Sequence, residues 1–231
     1  MATFKNRKSG VKMTFFEELA KATEKERLEL YSVPLIQDGI SGKISRETYI
    51  SYLTEAYHHV KHTTPLLMLV GSRIPQEKEW IRNVIAEYIE EELGHQEWIL
   101  SDIKNAGGDS EAVRNGKPRM ATELMVSYAY DSVLRINPIS FFGMVFVLEG
   151  TSINLATQAG DSIMKSLGLD KKCFSYLSSH GSLDVKHMGF FEKVVNKITD
   201  KKDQEDIIHM AKIMFQLFAN VFRSIPHDKI I

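Results

Sequence analysis

Cysteine is almost absent from this chain, with one residue, Cys173, in 231. An internal disulfide framework is therefore excluded. No apolar run at the start resembles a secretion signal, so the expected location is a reducing cytoplasm. Proline is scarce, at six residues, which leaves few points where helices must end. Long apolar runs are missing too: the nearest approach, ISFFGMVFVLEG at 139–150, falls short of the roughly 20 residues that a membrane-spanning helix needs. Neither charge is in excess, with 29 Lys and Arg against 30 Asp and Glu. No basic surplus exists to meet a phosphate backbone, so neither nucleic acid nor membrane is an expected partner. What is present is an ordinary globular composition, 43% hydrophobic and 26% charged, in a chain long enough to bury a sizeable core.

Apolar spacing is helical almost throughout, and no segment alternates convincingly as a strand. Helices are expected at about 14–31, 32–42, 45–70, 76–106, 118–133, 137–167, 171–198 and 201–224. The first twelve residues, MATFKNRKSGVK, are basic and aperiodic, and read as a flexible arm. Ser45 before Glu47 and Thr48 is an N-cap, NAGGD at 105–109 is a stop, and Asn137 before Pro138 opens the next long helix. Nothing resembles a repeat or a linker. The expected architecture is a single all-α domain over residues 1–231.

Three helices place polar residues where a soluble helix buries leucines. In the first, HGSLDVKHMGFF, His180, Asp184 and His187 share a face with Leu177, Phe191, Val194 and Ile198. Buried polar groups are costly unless satisfied, so either backbone and water or a cation must meet them. In the second, EYIEEELGHQEWILSDI, Glu92 and His95 fall on the apolar face with Tyr88, Ile99 and Ile103. Glu90 faces solvent, and Glu91 lies between. Glu-x-x-His on an inward face is the spacing by which bundle helices supply dimetal sites. In the third, Glu149 sits among Val145, Phe146, Ser152 and Ala156. Such a carboxylate either reaches the surface, pairs with a cation such as Arg135, or bridges metals.

Together these helices offer three carboxylates and three imidazoles with no thiolate. That set suits iron or manganese better than structural zinc. In YHHVKHTT, His58 and His62 are one turn apart and, with Tyr88, are candidates for a pocket wall. No carboxylate accompanies the histidines in sequence, so they read as core or supporting residues rather than ligands. Lys171 and Lys172 would lower the pKa of Cys173, yet no histidine base adjoins it. Tyr128, Tyr130 and Trp98 read as core or pocket-wall aromatics.

EELGHQEWILSDIKNAGGD, VLEGTSINLATQAGDSIMKSLGLD and FSYLSSHGSLDVKHMGFFE resemble the iron-containing redox enzymes of the haem-oxygenase-like, TenA- and PqqC-like superfamily, also described as haem-oxygenase-like dimetal oxidases. The resemblance covers about residues 14–224. It implies a bundle of seven or eight helices around a central cavity, usually a homodimer, in which two irons (or manganese) activate dioxygen. The reaction it implies is oxidation of a small organic substrate such as an amino acid or fatty-acid-like carboxylate, with room for an external electron donor. The family's metal residues fall on Glu92, His95, Glu149, His180, Asp184 and His187. Several members carry inserted residues between Glu-x-Gly and the histidine, whereas here Gly94 runs directly into His95, which keeps Glu91 as an alternative to Glu92. Other branches fit less well. The thiaminase cysteine and the early haem-ligating histidine have no counterpart in matching context, and a metal-free cofactor-processing or small-molecule-binding protein would leave the six polar residues unexplained.

Overall fold

The computed structural model describes residues 13–228, except for the side chains of residues 180–186. The arm expected at 1–12 lies outside the described residues. Those residues are all-α, as expected. In chain order the helices are α1 (Phe15–Ala22), α2 (Glu24–Tyr31), α3 (Pro34–Ile40), α4 (Arg46–Val60), α5 (Thr63–Arg73), α6 (Glu79–Glu92), α7 (His95–Asn105), α8 (Ser110–Asn115), α9 (Met120–Asp131), α10 (Phe141–Leu167), α11 (Ser175–Val195) and α12 (Lys201–Ser224).

The central helix is α10, against which α11 and α12 pack, while α5 lies on α6 and α4 on α7. Phe141 to Val147 are all buried, so this end of α10 is apolar on every side, as befits a helix enclosed by others. The segment Pro138–Leu167 is long and apolar enough to cross a bilayer, yet 67% of its most apolar window is buried inside the protein. Core packing accounts for that composition. Gly143 permits the close crossing with α12, since a Cβ there would lie 2.4 Å from the Ile207 carbonyl oxygen.

Three rods expected to be continuous are divided. Segment 14–31 breaks at Thr23, whose buried hydroxyl donates to the Leu19 carbonyl. Segment 45–70 breaks at Lys61 and His62, which moves Pro65 into the first turn of α5, where its missing N–H is harmless. Segment 76–106 breaks at Leu93 and Gly94: Leu93 is extended, and Gly94 has a φ of 89°. A side chain is strained in that left-handed region, so glycine suits the turn. One helix was not expected. Beyond the NAGGD stop, the Asp109 carboxylate accepts from the Ala112 N–H at 2.9 Å and starts α8.

Buried carboxylates fix how these pieces meet. Asp102 of α7 is fully buried and accepts from the N–H groups of Ser175 and Tyr176, at 2.9 and 2.8 Å, and from the Ser175 hydroxyl. The first turn of α11, which has no capping side chain of its own, is thus capped from another helix. Glu55 of α4 does the same for α9, accepting from the Arg119 N–H and the Thr122 hydroxyl. Asp102→Ala removes three charge-assisted bonds and leaves orphaned donors. It should lower stability by about 2–3 kcal/mol and the melting temperature by about 5–10 °C. A thermal unfolding curve unchanged within a degree would rule out this anchoring role.

A second buried group makes stability depend on pH. His58 of α4 is 1% exposed, with Nδ1 3.3 Å from Lys61 Nζ. Burial, followed by Lys61 and His62, depresses its pKa from 6.5 to about 4. The unfolded chain therefore takes up a proton near pH 6.5 that the folded chain refuses until pH 4. The contribution is fully present above pH 6.5 and is lost as pH falls toward 4. Melting temperature should drop between pH 7 and 5 more steeply in the wild type than in His58→Gln, and equal slopes in the two proteins would contradict this assignment.

Candidate metal centre

Glu92, Glu149 and His187 come together from the ends or middles of α6, α10 and α11. One donor atom from each lies within 4.8 Å of the other two. The group is well shielded, with side-chain exposures of 10%, 12% and 7%. His187 Nδ1 is 3.9 Å from Glu149 Oε1, and its Nε2 is 3.2 Å from Glu91 Oε2. Two carboxylates this close repel where water is scarce, and a shared cation or proton relieves that repulsion. Two oxygen donors and one imidazole are a donor set of intermediate softness. They fit iron or manganese.

His95 is buried but stands outside that group. Its Nδ1 lies 3.0 Å from Glu92 Oε2, and its ring stacks on Trp98 with centroids 4.1 Å apart. The break at Gly94 changes the reason for this contact: the two residues meet across a turn between two helices, not along one helical face. Glu90 and Glu91 are both exposed, the latter still touching His187. Arg135, the alternative partner for Glu149, is engaged with Asp131 instead, its Nη2 2.7 Å from Oδ2. The side chains of His180 and Asp184 lie outside the described residues. Leu177, Phe191, Val194 and Ile198, their companions on that face, are buried.

A cavity of about 160 Å³ runs from this cluster between α3, α4, α10 and α12. Glu92, Glu149 and Tyr88 form its polar end, and most of its wall is aliphatic or aromatic. Tyr88 therefore lines the pocket. His58 and His62 do not: α4 turns His58 toward Lys61, and His62 Nδ1 meets the Tyr130 hydroxyl at 3.2 Å. His59, between them, is the α4 histidine in the wall, with Nδ1 3.0 Å from the Glu55 carbonyl oxygen. Helical phase within YHHVKHTT could have separated it from its neighbours. Thr151 and Ser152 also line the cavity. Small polar residues two and three positions after Glu149 in an apolar helix were the available signal for them. Cys173 is buried, and burial, with Asp102 and Asp170, raises its thiol pKa, opposite to the effect expected from the adjacent lysines.

Comparison with known proteins shows the fold and the family. Among solved structures, the chain is similar to a domain of unknown function with a haem-oxygenase-like fold from Shewanella denitrificans (24% identity, 92% of each chain, TM-score 0.80). It is also similar to a TenA homologue from Pseudomonas syringae (11%, 90% of this chain and 91% of that one, 0.75). Haem oxygenase-1 of Synechocystis, solved with haem, matches at 11% identity over 91% of each chain, with a TM-score of 0.72. At these identities the likeness establishes the fold. No curated protein matches significantly. The sequence model of the iron-containing redox enzymes matches residues 50–219, a span that contains every candidate ligand, and the chain belongs to that family.

Proposed function

We propose that this protein is a non-haem di-iron oxidase that oxidises a small organic molecule held in the cavity beside Glu92, Glu149 and His187. The convergence of these three donors at the polar end of an otherwise apolar cavity carries the reading. When bound, the two irons would supply the electrons that activate dioxygen. The chain's own residues do the rest. Glu92, Glu149 and His187 would hold the irons together with His95 and, by the family pattern, His180 and Asp184. His95 Nδ1 orients the Glu92 carboxylate, and Trp98 stacks on the His95 ring and fixes its plane. Glu91 orients His187 through Nε2 and is the alternative to Glu92. The aliphatic wall keeps bulk water from the reacting atoms.

Iron stoichiometry tests this directly. Protein loaded anaerobically with Fe(II) and desalted should retain about two irons per chain and develop a transient visible absorption on exposure to dioxygen. Glu149→Gln should fall below one iron, while Glu90→Gln, altered on the exposed face, should match the wild type. In the metal-free protein Glu149→Gln should raise the melting temperature, because it removes a buried like-charge contact. Fewer than one iron per chain in the wild type, with no oxygen-dependent band, would sink the proposal and leave a metal-free binding protein as the better reading.

A further inference from the structure

We infer that Thr151 and Ser152 are the residues that select the substrate, and that the substrate is an aliphatic molecule with one oxygen-bearing head group. This inference rests on the proposed function of the cavity. Both residues line it, and neither Oγ, each a buried atom, has a hydrogen-bond partner among the described residues. In a helix such hydroxyls ordinarily donate to the carbonyl four residues back, as Thr54 does to Ile50. Thr151 is only 6% exposed. An unmet hydroxyl in an apolar interior is destabilising, and two at successive positions compound the cost. A ligand oxygen that accepts from both removes the cost.

The surroundings narrow what that ligand is. Ser152 is one turn beyond Glu149 on α10, so a head group held by the hydroxyls lies next to the metal residues. From there the wall continues about three turns, or ~16 Å, to Ile163. Leu35, Ile36, Ile40 and Ile44 face it from the other side. No lysine or arginine is in the described wall, and its only carboxylates are Glu92 and Glu149. An ammonium would have to compete with the metal for those two acids. A zwitterionic amino acid is therefore poorly served, whereas an alkyl chain ending in a carboxyl, carbonyl or hydroxyl is matched at both ends. The volume is about tenfold above the roughly 10–15 Å³ that admits one water, which accommodates on the order of ten heavy atoms.

Anaerobic titration calorimetry of the Fe(II)-treated, desalted protein with decanoic acid and with L-norleucine tests the assignment. Decanoic acid should bind, norleucine should bind at least tenfold more weakly, and the near-isosteric Thr151→Val/Ser152→Ala double variant should lose about tenfold in decanoic acid affinity. The variant should also melt at the same temperature as the wild type or higher when empty, because it removes two unmet hydroxyls; a purely structural role would lower it. Should the double variant fail to fold, the two single variants carry the same comparison. Equal decanoic acid affinity in wild type and variant, no binding of decanoic acid to the wild type, or tighter binding of norleucine would each overturn the inference. The two proposals fail separately. Absence of iron with selective decanoic acid binding intact counts against the metal reading alone. Normal iron loading with unselective binding counts against this one.

Discussion

The contact between the Asp102 carboxylate and the first turn of α11 governs how the two halves of the site meet. The α7 helix begins at His95 and carries Asp102 two turns later, while α11 begins at Ser175 and carries His187. A helix N-terminus has four N–H groups without intrahelical partners and a partial positive charge. Asp102 answers both at once with bonds to Ser175 and Tyr176. The bond therefore sets the axial position of α11, which carries His187, against α7, whose His95 meets Glu92. Glu55 fixes α9 to α4 by the same device.

The buried acids Asp102, Glu55, Glu92 and Glu149 thus serve two purposes. Those that meet a helix N-terminus are satisfied by the backbone and hold the bundle together. Glu92 and Glu149 are brought instead toward each other and toward His187. Bringing like charges together in a shielded place opposes folding, and a chain selected only for stability would replace them with hydrophobic residues of similar size. The rigid packing around Phe142, Phe191 and Phe215, all nearly or fully buried, tolerates that opposition.

The inward faces were legible because helical spacing is a strong signal where burial is complete. Phe191, Val194 and Ile198 are buried as the periodicity requires, and Glu92 is buried while Glu90 is not. Breaks between helices were much less legible. A single glycine inside EEELGHQEW looks tolerable in a continuous helix, and only the positive φ of Gly94 shows that the rod turns there. Glu92 and His95 meet even so, because a tight turn also brings residues three apart into contact. The interhelical caps could not be read at all. Asp102 and Glu55 lie far in sequence from the donors they satisfy, and their own segments give no reason to bury them. His59 stands between these cases: its phase separates it from His58 and His62, but only the packing of α4 against α7 and α9 turns that phase toward the cavity.

Thr151 and Ser152 complete the logic of the long central helix. The α10 helix is apolar where it occupies the core, carries Glu149 into the cluster, and leaves the cavity open beside it. Bulky residues after Glu149 would close that opening, and fully apolar small ones would leave a head group without a partner. A threonine and a serine keep the volume small and supply donors, but when the cavity is empty those donors are unmet. Stability forgone in the empty protein is recovered when an oxygen-bearing ligand enters, so the hydroxyls favour such ligands over hydrocarbons of the same shape. The two hydroxyls are an incomplete polar arrangement in an otherwise packed core, and what would complete them defines what binds.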